Sequence, residues 1–167
     1  MPEIAIRVAT PDDFDMLSGL IATSYAMLAD GSYDPGKLAH VLPTISRANP
    51  KLLSSGTYFV AEANGELAGC GGWTFEKPGT GEIEEHVAHI RHFATHPKHL
   101  RKGIARLVLE RCLAEAVAAG ARLMKSWATL QAEKFYASAG FTRVGLVEVE
   151  FTPGVLLPAV EMERKLP

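Results

Sequence analysis

The stretch from residue 85 to residue 128 constrains the fold more than any other part of the chain. A strand pattern over 85–95 stops at His96-Pro97, because proline fixes its own φ and pushes the residue before it away from helix. A short basic turn, 99–103, then feeds a helical pattern that runs to Ala119. Ala105, Val108, Leu109, Cys112 and Ala116 share one face of it at helical spacing. Gly120 is a natural terminator, and residues 123–128 read as the next strand. Strand, helix and strand this close together require a crossover helix packed on a sheet.

The rest of the chain supplies hairpins around that unit. Residues 4–8 form a first strand. Thr10-Pro11-Asp12-Asp13 starts a helix: a capping hydroxyl, a proline at the first helical position and two acids at the positive end of the dipole. Phe14, Leu17, Ile21 and Tyr25 give this helix an apolar stripe. A second helix begins at Asp34-Pro35-Gly36 and extends to about Leu42, and residues 43–56 carry no clear pattern. Strands over 57–62 and 66–75 flank Asn64-Gly65, a two-residue hairpin signal. Residues 77–81 form a loop. Thr129 can cap a helix that ends before Gly140, and the chain closes with strands over 144–151, with Val147, Val149 and Phe151 inward, and 160–165. The order β-α-α-β-β-β-α-β-α-β-β predicts a mixed sheet flanked by helices.

The chain has 167 residues, 47% hydrophobic and 22% charged, the composition of one globular domain spanning 1–167. A net charge of −2 lacks the overall cationic field expected of a nucleic-acid binder, so no nucleic-acid partner is expected. The apolar runs are far shorter than the roughly 18 residues of a membrane span. The start, Met1-Pro2-Glu3-Ile4, lacks the pattern of a signal peptide. Cys70 and Cys112 lie outside any C-x-x-C spacing and read as buried free thiols. A cytoplasmic protein without a membrane partner is the expectation.

The basic turn carries the clearest chemistry. The first amides of a helix have no internal partner and favour anions. Gly103 removes a side chain where a phosphate would approach. Ile104 and Ala105 open the helix, and Lys98, Arg101, Lys102 and Arg106 add positive charge. A pyrophosphate cradle is the expectation, against the plainer reading of a solvated basic helix start. Five of the six histidines fall between His86 and His99, yet a shared metal is not expected. On a strand His86 and His92 share a face about 20 Å apart at 3.3 Å per residue. His89 faces the other way, with Arg91 and Phe93, while Ala88, Ile90, His92 and Ala94 share the opposite face. Gly69-Cys70-Gly71-Gly72 lacks a phosphate-loop spacing and reads as a strand with close backbone packing, or as a bulge facing the substrate. Trp73 and Trp127 read as packing residues rather than stacking platforms.

Two motifs in order carry a family resemblance. His96-Pro97-Lys98-His99-Leu100-Arg101-Lys102-Gly103-Ile104-Ala105 resembles the pyrophosphate-binding turn of the GNAT superfamily, the acyl-CoA-dependent N-acetyltransferases. Ala132-Glu133-Lys134-Phe135-Tyr136-Ala137-Ser138-Ala139-Gly140-Phe141 resembles that superfamily's second motif. The element order fits over essentially the whole chain. Two positions depart from the pattern: Leu100 stands where Gln or Arg is usual, with Arg101 displaced by one, and Thr129 stands where many members have Asn.

The resemblance implies an α+β fold: a mixed, mostly antiparallel sheet of about seven strands with about four helices. It implies acetyl transfer from acetyl-CoA to a primary amine of a small molecule or peptide, by direct attack in a ternary complex. The pantetheine arm would lie along Phe93, Ala94 and Thr95 like an added strand. The splay between that strand and residues 123–128 would make room for it, and a backbone N–H there would stabilise the developing oxyanion. Arg101, Lys102, Gly103, Ile104, Ala105 and Arg106 would hold the pyrophosphate. Tyr136 would protonate the departing thiolate. His89 stands where members often carry a Glu or His base, and a water relay to Glu84 or Glu85 is the alternative. A non-catalytic acyl-CoA sensor and a transferase acting on charged tRNA are the competing functions. Tyr25, Tyr33, Trp73 and residues 152–158 are candidate acceptor-lining residues. The last strands could pair with a second copy of the chain.

Overall fold

A computed structural model describes residues 3–167; the first two residues, on which the signal-peptide reading partly rests, lie outside it. Seven strands form one sheet in the order β1-β2-β3-β4-β5-β7-β6. They are β1 Ile4–Val8, β2 Tyr58–Ala63, β3 Glu66–Thr74, β4 Val87–Thr95, β5 Leu123–Ala128, β6 Thr142–Thr152 and β7 Val155–Lys165. Only β4 and β5 pair in parallel, as a crossover demands. Every other neighbouring pair is antiparallel. Asn64 (φ 51) and Gly65 (φ 81) turn the β2–β3 hairpin, both in the left-handed region that a two-residue turn of this hand needs.

The helices are α1 Phe14–Tyr25, α2 Pro35–Ile45, the single turn α3 Pro50–Leu53, α4 Ile104–Ala118 and α5 Glu133–Ser138. The described residues thus hold four longer helices and one turn, in the α+β arrangement expected. Asp34 caps α2, its carboxylate accepting from the Lys37 N–H at 3.0 Å. Asn49 caps α3 in the same way, at 3.0 Å from the Lys51 N–H. The start of α1 is tied to β1. Arg7 donates two bonds to Asp13, at 2.8 and 2.9 Å, and the Asp13 carboxylate also accepts from the Thr10 N–H. Together these hold the Asp13 carboxyl below its usual range.

One core layer packs α4 against the sheet through Phe59, Ile104, Leu109, Met124 and Met162. The opposite layer packs α1 and α3 through Leu17, Ile21, Leu53, Tyr58 and Val60. A third group, Leu28, Tyr33, Leu38, Val41 and Leu157, joins α2 to the last hairpin. The glycine run in β3 is a zone of close approach. A Cβ on Gly69 would stand 2.8 Å from Ile104 Cγ2, and one on Gly71 would overlap the Phe93 ring.

Several boundaries and one alternation depart from the sequence reading. β4 begins at Val87 rather than 85, because His86 adopts a left-handed conformation (φ 65) and is no longer on the strand. β7 begins at Val155 rather than 160. Thr129 makes no side-chain cap; a 3-10 turn, Leu130–Ala132, precedes α5. In β4 the alternation breaks at a bulge. Cys70 pairs with Ala94 but Gly72 with Arg91, so β4 takes one more residue than β3, and His92 adopts φ 52. The faces are therefore not those of a regular strand. Phe93 joins the α4 side with Ala88 and Ile90, while Ala94 packs on the α1 side.

Candidate active site

Registered pairing between β4 and β5 covers only Val87–His89 against Leu123–Lys125. Beyond it the strands diverge, while β5 stays paired to β7 as far as Ala128. A cleft of about 660 Å³ opens in the gap. Phe93, Ala94 and Thr95 line one wall, and Arg101, Gly103, Ile104, Ala105 and Arg106 line its mouth. All eight were named from sequence. Lys102 is the exception: its Nζ stands 3.2 Å from His99 Nδ1, outside the cleft lining.

The bulge is held by side chains from distant elements. The Tyr58 hydroxyl donates to the His92 carbonyl at 2.6 Å, and His92 Nε2 donates to the Ile45 carbonyl at 2.8 Å. The Tyr25 hydroxyl donates to the Phe93 carbonyl at 3.0 Å. The Thr95 N–H donates to the Ser24 hydroxyl at 3.2 Å. Two backbone groups of the expected pantetheine edge thus meet hydroxyls of α1. The sequence reading missed Ser24, Tyr58 and this role of Tyr25.

At the mouth, the His96 imidazole accepts from the Lys98 N–H at 3.1 Å, forming a 3-10 turn over Pro97–His99. Arg101 (φ 63) and Gly103 (φ 79) are both left-handed. These turns set α4 with its first amides at the cleft. Nothing stands within 4 Å of where a Gly103 Cβ would be, so the approach is open. Arg101 and Arg106 are the formally charged residues of the lining and no carboxylate joins them. The residues present therefore fit a polyanion with an extended apolar arm.

Tyr136 lies on the far wall of the cleft, 4% exposed. Its ring packs edge-on against Phe93, Phe135 and Phe141, with centroids 6.4, 5.1 and 5.4 Å away. Burial raises the phenol well above its usual range, and Ser126 pulls weakly the other way. Tyr136 therefore keeps its proton.

His89 lies outside this cleft. It is 7% exposed and lines a second cavity of about 300 Å³ with Lys77, Glu84, Lys125, Ser126 and Trp127. Burial, with Lys125, Arg91 and Lys77 nearby, lowers the imidazole to about 4. Glu84 shares that cavity, whereas Glu85 is exposed and stands 3.2 Å from His86. Among the described residues no three His, Cys, Asp or Glu side chains stand together as a metal site.

The sequence model of the acetyltransferase (GNAT) family matches residues 29–141. The chain belongs to the GNAT acetyltransferase family. Solved structures agree on the fold. A GCN5-related N-acetyltransferase from Rhodopseudomonas palustris superposes with a TM-score of 0.78 at 18% identity, over 97% of this chain and 95% of that one. PaiA N-acetyltransferase from Thermoplasma acidophilum, in complex with coenzyme A, gives 0.72 at 19%, over 98% and 99%. YncA from Salmonella typhimurium, a putative acetyltransferase with its cofactor acetyl-CoA, gives 0.64 at 21%, over 99% and 95%. No curated protein matches by sequence.

This acetyltransferase has a third cavity beside the cleft, of about 450 Å³. The two share Tyr25, Leu28 and Thr129. Tyr25, Tyr33, Leu157 and Pro158, named from sequence, line it. Trp73 does not: it is 5% exposed in the core. Trp127, read as packing, lines both this cavity and that of His89. Among the described residues, no helix is long and apolar enough to cross a membrane.

Proposed function

We propose that this GNAT protein is an acetyl-CoA-dependent N-acetyltransferase acting on a primary amine by direct attack in a ternary complex. The observation that carries the reading is a single cleft with an anion-accepting helix start at its mouth, a splayed strand edge along its wall and a protonated phenol across from it. Acetyl-CoA supplies the acetyl group as an activated thioester. Backbone amides at Gly103, Ile104 and Ala105, with Arg101 and Arg106, would hold its pyrophosphate. Lys102 contributes only at longer range. Phe93, Ala94 and Thr95 would align the arm by strand addition.

Transfer forms a C–N bond, breaks the C–S bond, removes a proton from the amine and delivers one to sulfur. Tyr136 suits the last task, because a raised pKa keeps its proton available until the sulfur becomes basic. His89 is neutral at physiological pH but lines a cavity separate from the cleft, so it would reach the amine only through water. A pKa of about 4 makes it a weak base, and Glu84, in the same cavity, offers the onward route through water. Tyr136 at the cleft favours turnover over a purely acyl-CoA-sensing role.

The test is thermal stabilisation by acetyl-CoA. A ligand bound only by the folded state adds about 2.7 kcal/mol at one hundred times Kd, so Tm should rise. Gly103→Glu places a carboxylate at the cleft mouth and should abolish the rise. An equal rise in that variant rules out this cleft as the site.

A further inference from the structure

The third cavity, which adjoins the cleft, has a charge and a texture that would select among amines. Its walls are aromatic and aliphatic: Tyr33, Ile45, Trp127, Phe151 and Leu157. Its formally charged residues are Arg47 and Arg91, and no Asp or Glu lines it. Neither arginine takes part in an ion pair among the described residues.

Arg91 is the more telling of the two. It is half-buried on β4, two residues beyond His89, and burial lowers its pKa. Its Nη1 donates to Thr74 Oγ1 at 2.8 Å and to the Glu76 carbonyl at 3.3 Å. Those bonds fix one end of the guanidinium. No hydrogen-bond partner meets Nε or Nη2 among the described residues. That free edge is the fork that receives a carboxylate through two parallel bonds. The Glu76 carboxylate attracts Arg91 at longer range without forming an ion pair; a half-buried cation so weakly compensated is costly, and an anionic ligand would offset that cost.

We propose that the acceptor is an amine that also carries a carboxylate and an apolar side group, as an apolar amino acid does. Its carboxylate lies on the Nε–Nη2 edge of Arg91, its apolar group among Tyr33, Trp127 and Phe151, and its amine toward Tyr25, where the cavity meets the cleft. A polyamine or a basic peptide does not fit, because the cavity gives its cations no carboxylate and opposes them with two guanidinium groups. The proposal rests on the acetyl-transfer reading and narrows its substrate.

The experiment measures thiol release from acetyl-CoA at one fixed alkaline pH. L-phenylalanine and L-leucine are compared with their amides, with phenethylamine and with spermidine. The acids should exceed their amides by about ten- to a hundredfold in kcat/KM, the range of a charge-assisted pair. Arg91→Gln should collapse that ratio toward unity, chiefly by raising KM for the acids. Arg91→Lys, which keeps charge but loses the fork, should restore only part of it.

A preference for the amides or spermidine overturns the proposal. So does a preference for the acids that survives in Arg91→Gln, or no thiol release from either acid by protein that acetyl-CoA stabilises. Absence of any stabilisation by acetyl-CoA is a separate result, which removes the acetyl-transfer reading itself. The ratio in the wild-type protein needs no variant, so poor folding of Arg91→Gln does not remove the test.

Discussion

The Tyr25 hydroxyl donates to the Phe93 carbonyl at 3.0 Å, joining the last residue of α1 to the residue that follows the β4 bulge. Next to it, Ser24 accepts from the Thr95 N–H. An edge that diverges from its neighbour would otherwise leave these backbone groups without protein partners, and buried backbone groups are rarely left so. The two hydroxyls therefore stand in for a missing strand. An arm bound along β4 as proposed would exchange one set of partners for another rather than create hydrogen bonds outright.

Tyr25→Phe tests that relationship. The ring and its packing on His92 remain, and only the donor to Phe93 is lost. Stability should fall by about 1–3 kcal/mol in denaturant unfolding, the cost of an unmet buried acceptor. An arm that supplies the donor itself should recover part of this, so acetyl-CoA should raise the Tm of the variant more than that of wild type. An equal rise in both would show that the arm does not reach this carbonyl.

Tyr136→Phe should lower kcat by about 10²- to 10⁴-fold with little change in acetyl-CoA affinity. The proposed bond acts on sulfur as negative charge develops, and an interaction made only in the transition state appears in kcat. The phenol is held above its usual range, so the wild-type profile should show no alkaline loss through Tyr136 near pH 10 or below. Wild-type kcat in the variant would make Tyr136 a packing residue.

His89 should leave a mark on stability in acid. Its folded pKa of about 4 lies below the ordinary value near 6.5. Between those values the unfolded chain holds more protons, so stability is full above the upper one and is lost as pH falls toward the lower. The shift bounds the effect near 3 kcal/mol, and solvent in the open cavity reduces it to about 1–2 kcal/mol. His89→Gln should flatten this part of the pH–stability curve. An unchanged acid limb would assign the loss to other groups, and Asp13, whose pKa is also lowered, acts at more acid pH.

Gly71→Ala should disturb the cleft from behind, by displacing Phe93, which lines it. The added methyl would overlap the Phe93 ring, which must swing aside. Overpacking of this kind costs about 1–3 kcal/mol, and the displaced ring narrows the space beside Tyr136. Weaker acetyl-CoA binding with a cooperative unfolding transition is the expected result, read by calorimetry. Full affinity would show that the Phe93 position is not needed.

What could be read from sequence was local. His96-Pro97, Gly103 and the helical spacing of Val108, Leu109 and Cys112 placed β4, the turn and α4, because each acts within a few residues. Asn64-Gly65 placed the first hairpin in the same way. The bulge was not legible. Nothing about a histidine announces φ 52, which here is held by Tyr58, Tyr25 and the Ile45 carbonyl from three other elements. His89 looked like a base near neutrality because its burial, and the approach of Lys125 and Arg91, arise only on folding. Trp127, read as packing, lines two cavities, because burial of a strand residue depends on which layers cover it, and spacing alone does not report that.

The extra residue in β4 has a consequence for how such a protein can diversify. Before it, the strand turns His89 and Arg91 toward one set of cavities; after it, Phe93 and Thr95 serve the cleft. A regular strand would couple the two halves, since any shift in one would rotate the other. The bulge uncouples them. On the proposed roles, substitutions upstream of His92 would retune which amine is accepted while the downstream half kept the shared donor, so new acceptors would be open to selection without rebuilding the rest.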